Sequence, residues 1–252
     1  MPKPLGRDDV VRRLHDHPLE SYALISNVAK GIALGVGSLV LLEILGDIRS
    51  EWLRLFPWLA SLASVLISYV KWTRGTLLSN ARANVWDSVF PLLVGVAEFL
   101  LFGVLAVESS RFILFGVVAL EKPVSFLWLN WPLCLALHAL TASALVHNRL
   151  RLTLNSDFDS EMSEMGDSFK KWLRSDRLQA GISGLLIFAI WAANRFWVLP
   201  MYGTGTAGGV VAVLGFLSFI GAWKPVSEAN QQRDEIDKFV SAEKPKPRAA
   251  VA

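Results

Sequence analysis

Long uninterrupted apolar runs constrain this chain more than any other feature of its sequence. Each run has 18–22 residues, close to the ~20 that a helix needs to cross ~30 Å of hydrocarbon. The sequence therefore predicts an all-α fold, a polytopic membrane bundle of about six transmembrane helices. The runs cover residues 28–48, 53–72, 88–107, 126–147, 180–199 and 206–223.

The composition supports this class of protein and argues against others. Of the 252 residues, 53% are hydrophobic and 19% are charged, whereas about a quarter of a typical soluble domain is charged. The ten tryptophans fit a membrane protein because indole favours the membrane–water boundary. A net charge of +3 is too small to argue for a nucleic-acid partner. The lone cysteine, Cys134, excludes an intramolecular disulfide and a cysteine-based metal cluster, and no cofactor or metal is expected.

Lysine and arginine are distributed unevenly between the two ends of the predicted spans. With a cytoplasmic N-terminus, the inside segments hold 19 of these residues and the outside segments hold 5, the bias expected of a protein of the cell inner membrane. Both termini are therefore predicted to be cytoplasmic. The predicted organisation is an N-terminal amphipathic segment (1–27), a membrane domain (28–223) with a cytoplasmic helical segment (148–179), and a tail (224–252) expected to be disordered from about residue 243.

Two ionisable residues are predicted to lie near the bilayer midplane, where a charge costs roughly 2.5–3.5 kcal/mol on insertion scales. Glu98 is 11 residues from Asp87. His138 is 11 residues from Arg149, so each lies about 16 Å from the inner boundary. Ser61 is at a similar level. A carboxylate and an imidazole at one depth can relay protons or bind a cation or a polar substrate, or they can only hold helices together through hydrogen bonds.

A second group of charges is predicted near the outer surface. Glu43 and Asp47 are four residues apart and so share one face of the first span. Arg195 ends the fifth span at a similar depth. The expected arrangement is a structural ion pair between Glu43 and Arg195, and the alternative is an outer gate or binding site.

An amphipathic helix is predicted in the inner segment before the fifth span. Its apolar residues recur at steps of four and three, which places them on one face, and its acidic residues precede its basic ones, which suits the helix dipole. The helix is expected to continue into the fifth span. The apolar stripe is a candidate for binding a cytoplasmic partner, for packing on the protein's own inner loops, or for lying on the membrane. It consists of Phe158, Met162, Met165, Phe169 and Trp172.

Small residues predict two local features of the spans. Gly31 and Gly35 form a GxxxG pattern on the first span, which lets two helices approach closely within the chain or between protomers of a homo-oligomer. The glycine-rich segment 203–209 is expected to make the start of the sixth span irregular.

Three classes of function are compatible with these residues. A small channel or permease would use Glu98 and His138 to move protons or small ions. A non-catalytic scaffold or anchor subunit would bind a partner through the amphipathic stripe. An intramembrane enzyme would need a complete polar cluster at one membrane face, which the sequence does not offer. The transport interpretation is preferred, because a midplane carboxylate and imidazole are harder to explain as packing than an amphipathic helix.

Overall fold

The chain is almost entirely helical over the residues that the computed structural model describes, which are 21–78, 85–106, 127–154 and 163–222. These residues are 97% helical and contain no strand, which confirms the all-α prediction for this part of the chain. The helices are α1 (Ser21–Gly46), α2 (Ile48–Leu78), α3 (Val85–Gly103), α4 (Trp131–Leu154), α5 (Ser163–Ala193) and α6 (Leu199–Gly221), with a 3₁₀ turn (Leu127–Asn130) before α4 and a π-helical turn (Asn194–Val198) between α5 and α6.

Among the residues that the structure describes, four helical elements are long and apolar enough to cross a membrane. They are Asn27–Gly46, Ile48–Lys71, Trp128–Arg151 and the continuous element Gly166–Gly221. Large apolar side chains cover their outer faces, and extensive exposed apolar surface is typical of helices that face lipid. In α3 the apolar stretch is only Val89–Gly103, which covers about 22 Å at 1.5 Å per residue. The arrangement in six spans therefore stays a prediction.

The helix α3 is shorter than the run 88–107 predicts. It ends at Gly103 in a tight turn, in which the backbone N–H of Leu105 bonds to the carbonyl of Phe102 at 2.9 Å. Hydropathy could not locate this end, because the residues that follow Gly103 are equally apolar. The residues that precede Ser21, the C-terminal tail, and Phe158 and Met162 of the apolar stripe lie outside the described residues.

The longest element, Gly166–Gly221, reverses direction near its middle. Gly203 has φ of 79°, a left-handed conformation that only glycine adopts without strain. The Nδ2 of Asn194 donates a hydrogen bond to the carbonyl of Ala207 at 3.2 Å. In a straight helix these two residues would be about 20 Å apart, so α6 must fold back beside the π-helical turn that follows α5. The predicted irregularity at 203–209 is confirmed.

The helices pack as neighbouring pairs, with α1 against α3, α4 against α5 and α2 against α6, while α3 also packs on α4. Glycines allow the close approaches. A Cβ at Gly95 would lie 2.5 Å from the Cβ of Ala29, and one at Gly184 would lie 2.9 Å from Leu140. The core between the pairs is built on the fully buried side chains of Trp131 and Leu101.

The helix α5 carries the described part of the apolar stripe and residues 180–193 of the predicted fifth span on one continuous rod. It has 31 residues and therefore a length of about 46 Å. From Ser163 onward, the amphipathic segment continues into the apolar run 180–193 as one helix.

Gly215→Ala is expected to destabilise the protein, because a Cβ at Gly215 would lie 2.6–2.9 Å from backbone atoms of Phe56 and Pro57. Overpacking of this kind costs about 1–3 kcal/mol. Gly209→Ala is the matched control on the same helix, since a Cβ there meets nothing within 4 Å. Thermal unfolding in detergent should give a lower Tm for Gly215→Ala and an unchanged or higher Tm for Gly209→Ala. Equal Tm values would contradict the packing of α2 on α6.

Candidate functional site

Glu98 is the centre of the candidate site. It lies on α3 with its side chain fully buried. Its Oε1 lies 3.7 Å from Nε2 of His138 on α4, and its Oε2 lies 3.8 Å from Nζ of Lys30 on α1. Both distances suit ion pairs but exceed hydrogen-bond length, and among the described residues neither carboxylate oxygen has a hydrogen-bond partner. Three helices thus assemble one cluster, the Lys30–Glu98–His138 triad.

Lys30 is the member of the triad that sequence reasoning missed. It lies two residues after the start of the first predicted span, which places it at the inner end of that span. The close approach of Gly95 to Ala29 sets a different register, in which Lys30 lies level with Glu98. The signal in the sequence is the apolar segment 22–25, which precedes Lys30 and extends the hydrocarbon-compatible stretch on its inner side.

The charge balance of the triad limits the protonation states that it can adopt. Lys30 and Glu98 have opposite charges, and His138 is charged only when it is protonated. One neutral combination is an ammonium, a carboxylate and a neutral imidazole; a carboxylate and an imidazolium beside a neutral amine, or three uncharged groups, are the others. Uncompensated charge is costly in a low-dielectric interior. Uptake of one further proton would leave a net positive charge that another group or a ligand must balance.

A cavity of about 230 Å³ lies beside the triad and is lined by Lys30 and His138. It extends along α4 from His138 to Arg149, a rise of about 16 Å. At that far end it is lined by Lys71 and Asp176, which form an ion pair between α2 and α5. Its walls between the two ends are mainly apolar, with serines from α2 and α5. The lining also includes Ser64, Ile67, Ser68, Val94, Ala139, Ala142, Val146, Leu173 and Ser183.

Ser61 does not join the triad as the sequence analysis expected. It is fully buried, but its hydroxyl donates to the carbonyl of Pro57 at 2.8 Å and accepts a hydrogen bond from Nε1 of Trp131 at 2.9 Å. The hydroxyl of Ser61 therefore contacts Trp131 of α4 and not Glu98 or His138. Ser61 joins α2 to the start of α4.

The predicted outer cluster has a different cation at its centre. Arg54 is buried, with its Nη2 3.6 Å from Glu43 and its Nη1 2.9 Å from Glu51. Arg195, the expected partner of Glu43, is exposed on the π-helical turn. Asp47 is also exposed and accepts a hydrogen bond from the hydroxyl of Ser50 at 2.6 Å. The Glu43–Arg195 pair is therefore replaced by an Arg54 cluster that joins α1 to α2.

The described part of the apolar stripe packs within the protein. Phe169 is buried and stacks on Trp172 with ring centroids 5.7 Å apart, while Trp172 lines the cavity. Met165 lies on α5 in the same helix. The partner-binding interpretation requires Phe169 to be exposed to solvent, and it is not. The interpretation in which the stripe packs on its own chain fits these two aromatic residues.

Gly31 and Gly35 lie on the outer face of α1. Both are exposed, and a Cβ added to either would meet nothing within 4 Å. The GxxxG pattern therefore does not serve the packing of the described helices. Its use between protomers stays a prediction.

Only the helices indicate the kind of protein that carries this site. Comparison with known proteins finds no matching family model, no matching curated protein and no matching solved structure. The apolar helices indicate a membrane-embedded protein. Within the described ranges, no group of three or more His, Cys, Asp or Glu side chains could hold a metal ion.

Lys30→Met is expected to destabilise the protein more than the double variant Lys30→Met/Glu98→Gln. Removing one partner of a buried ion pair costs about 3–5 kcal/mol because it leaves a buried charge uncompensated, whereas replacing both can be neutral. Unfolding by denaturing detergent in mixed micelles measures both free energies and the coupling between the two residues. Additive effects of the single substitutions would contradict the pair.

The double variant Glu43→Gln/Glu51→Gln is expected to lose more stability than the two single variants predict by addition. Either single variant leaves Arg54 one carboxylate, while the double variant leaves a buried guanidinium with neither at a cost of about 3–5 kcal/mol. Asp47→Asn is the control, because Asp47 is exposed. The same micelle titration provides the measurement, and a double variant as stable as wild type would refute the Arg54 cluster.

Proposed function

We propose that this chain is a small permease of a cell inner membrane, which moves protons through the Lys30–Glu98–His138 triad. One observation carries the proposal. Glu98 is completely buried, its two oxygens have no hydrogen-bond partner among the described residues, and two groups that exchange protons lie within 3.8 Å of it. A cavity of about 230 Å³ offers water and solutes a route to this point.

The proposed topology has six spans with both termini in the cytoplasm. The excess of basic residues in the inside segments supports the orientation. The reversal at Gly203 supports two antiparallel spans within the element Gly166–Gly221, and the short helix α3 would be the third span. In this orientation Lys71 and Arg149 lie at the cytoplasmic end of the cavity, and the triad lies deep in the membrane.

A proton suits this site better than a metal cation does. A sodium or potassium ion beside Glu98 would lie within a few ångströms of the ammonium of Lys30, and like charges repel strongly where the dielectric constant is low. A proton binds to Glu98 or His138 covalently and needs no additional space. The ordinary role of histidine as a proton shuttle near neutral pH fits the same interpretation.

The scaffold alternative has less support than the permease. It depended on a solvent-exposed apolar stripe, and Phe169 is buried while Trp172 lines the cavity. The basic inner segments support orientation as well as they support a partner. We therefore propose a transport protein rather than a scaffold or an enzyme.

Glu98→Gln is expected to abolish proton flux because an amide side chain cannot carry the proton. The protein is reconstituted in liposomes with a pH-sensitive dye inside, a potassium gradient with valinomycin sets the membrane potential, and the initial rate of internal pH change is measured. Glu43→Gln is the control, since it removes a carboxylate on α1 outside the triad and is expected to keep wild-type flux.

Circular dichroism and gel filtration establish that the variants are folded. Undiminished flux in a folded Glu98→Gln protein would overturn the proposed path. Absence of flux in wild type under every gradient would leave Glu98 as a structural link between α1, α3 and α4.

A further inference from the structure

The cavity beside the triad has the features of a binding site as well as those of a water path. Lys30 and His138 form one end of it, and both are more than nine-tenths buried. Nε2 of His138 has no hydrogen-bond partner among the described residues. The walls of the cavity between its two ends are mainly aliphatic. The volume of the cavity, about 230 Å³, exceeds by several-fold the ~30 Å³ that one water molecule occupies in the liquid.

The charges that face the triad favour an anion over a cation. Lys30 comes from α1 and His138 from α4. The helix α2 contributes Ser64 and Ser68 to the wall, and Lys71 and Arg149 lie at the far end. The acidic residue of the lining, Asp176, forms an ion pair with Lys71, and Glu98, which contacts Lys30 and His138, does not line the cavity. A solute that reaches the deep end of the cavity therefore meets nitrogen atoms first.

We propose that this cavity binds a small organic monoanion, with its carboxylate toward Lys30 and His138 and its apolar body against the wall formed by Val94, Ala139 and Ala142. The proposal deepens the proposed function and rests on it, because it makes the anion a ligand that raises the proton affinity of the same triad. An aromatic or branched aliphatic carboxylate matches both the positive end and the apolar walls.

Binding of the anion and of the proton is coupled through charge. With Lys30 and Glu98 charged and His138 neutral, the triad is neutral, and an added anion makes it negative. Uptake of one proton on Glu98 or His138 restores neutrality. Each ligand therefore raises the affinity for the other by the same factor, so a carboxylate in the cavity raises the proton occupancy of the triad.

Three probes of one shape test the charge preference on the full-length protein in detergent. Benzoate, benzamide and benzylammonium share an aromatic ring and differ in charge. Calorimetric titration measures their affinities, and titrations in buffers of different ionisation enthalpy measure the protons taken up. For wild type we expect benzoate to bind roughly tenfold or more tightly than benzylammonium, with uptake of about one proton per benzoate at neutral pH.

The variants separate the contribution of Lys30 from that of Glu98. Glu98→Gln makes the triad positive without a proton, so benzoate should bind at least as tightly as to wild type and with no proton uptake. Lys30→Met/Glu98→Gln removes that positive charge, and benzoate should bind roughly tenfold or more weakly than to Glu98→Gln. Lys171→Met is the matched control, because Lys171 is exposed and does not line the cavity.

The outcomes distinguish this inference from the proposed function. Absence of benzoate binding, equal or tighter binding of benzylammonium, or equal benzoate affinity of Glu98→Gln and the double variant would overturn the anion site, whatever the liposomes show. Undiminished proton flux in Glu98→Gln would overturn the proton path while leaving the benzoate affinities as expected. Benzoate that binds to wild type without proton uptake would overturn the coupling.

Discussion

The buried contact of Lys30, Glu98 and His138 is the interaction on which the rest of this bundle depends. It joins α1, α3 and α4 at a point where each ionisable group would be costly alone. Gly95 makes the contact possible, since its missing side chain lets α3 approach Ala29, the neighbour of Lys30. The close helix packing and the charge cluster are therefore one feature, and neither could be changed without disturbing the other.

The sequence predicts the depth of buried polar residues better than it predicts their direction. Counting residues along a helix places Glu98 and His138 at one level, and the structure brings their side chains to 3.7 Å. The same counting places Ser61 at that level, but Ser61 accepts a hydrogen bond from Trp131 instead. The rotation of a helix about its axis depends on its packing partners, and a hydropathy profile of a nearly uniform apolar helix contains little of that information.

The axial register of neighbouring helices explains the remaining differences between the predicted and the observed polar clusters. Lys30 belongs to the site because α1 is shifted relative to α3, and the apolar segment 22–25 was the signal for that shift. The spacing of Glu51 and Arg54, one helical turn apart, was a local signal for the cluster that sequence reasoning centred on Arg195. The reversal at Gly203 was more accessible to prediction, because a run of glycines is a local property of the chain.

A purely structural role for the triad is difficult to reconcile with its geometry. Buried ion pairs contribute little net stability compared with apolar residues of similar size, unless hydrogen bonds satisfy the remaining atoms. Here the two oxygens of Glu98 and Nε2 of His138 lack such bonds among the described residues, and a cavity lies beside them. A cluster with only a structural role would be expected to bring Glu98 within hydrogen-bond distance of Lys30 and His138 and to leave no cavity beside them. A site that exchanges a proton or holds a ligand needs polar atoms that are not already committed, and a cavity next to them supplies the access.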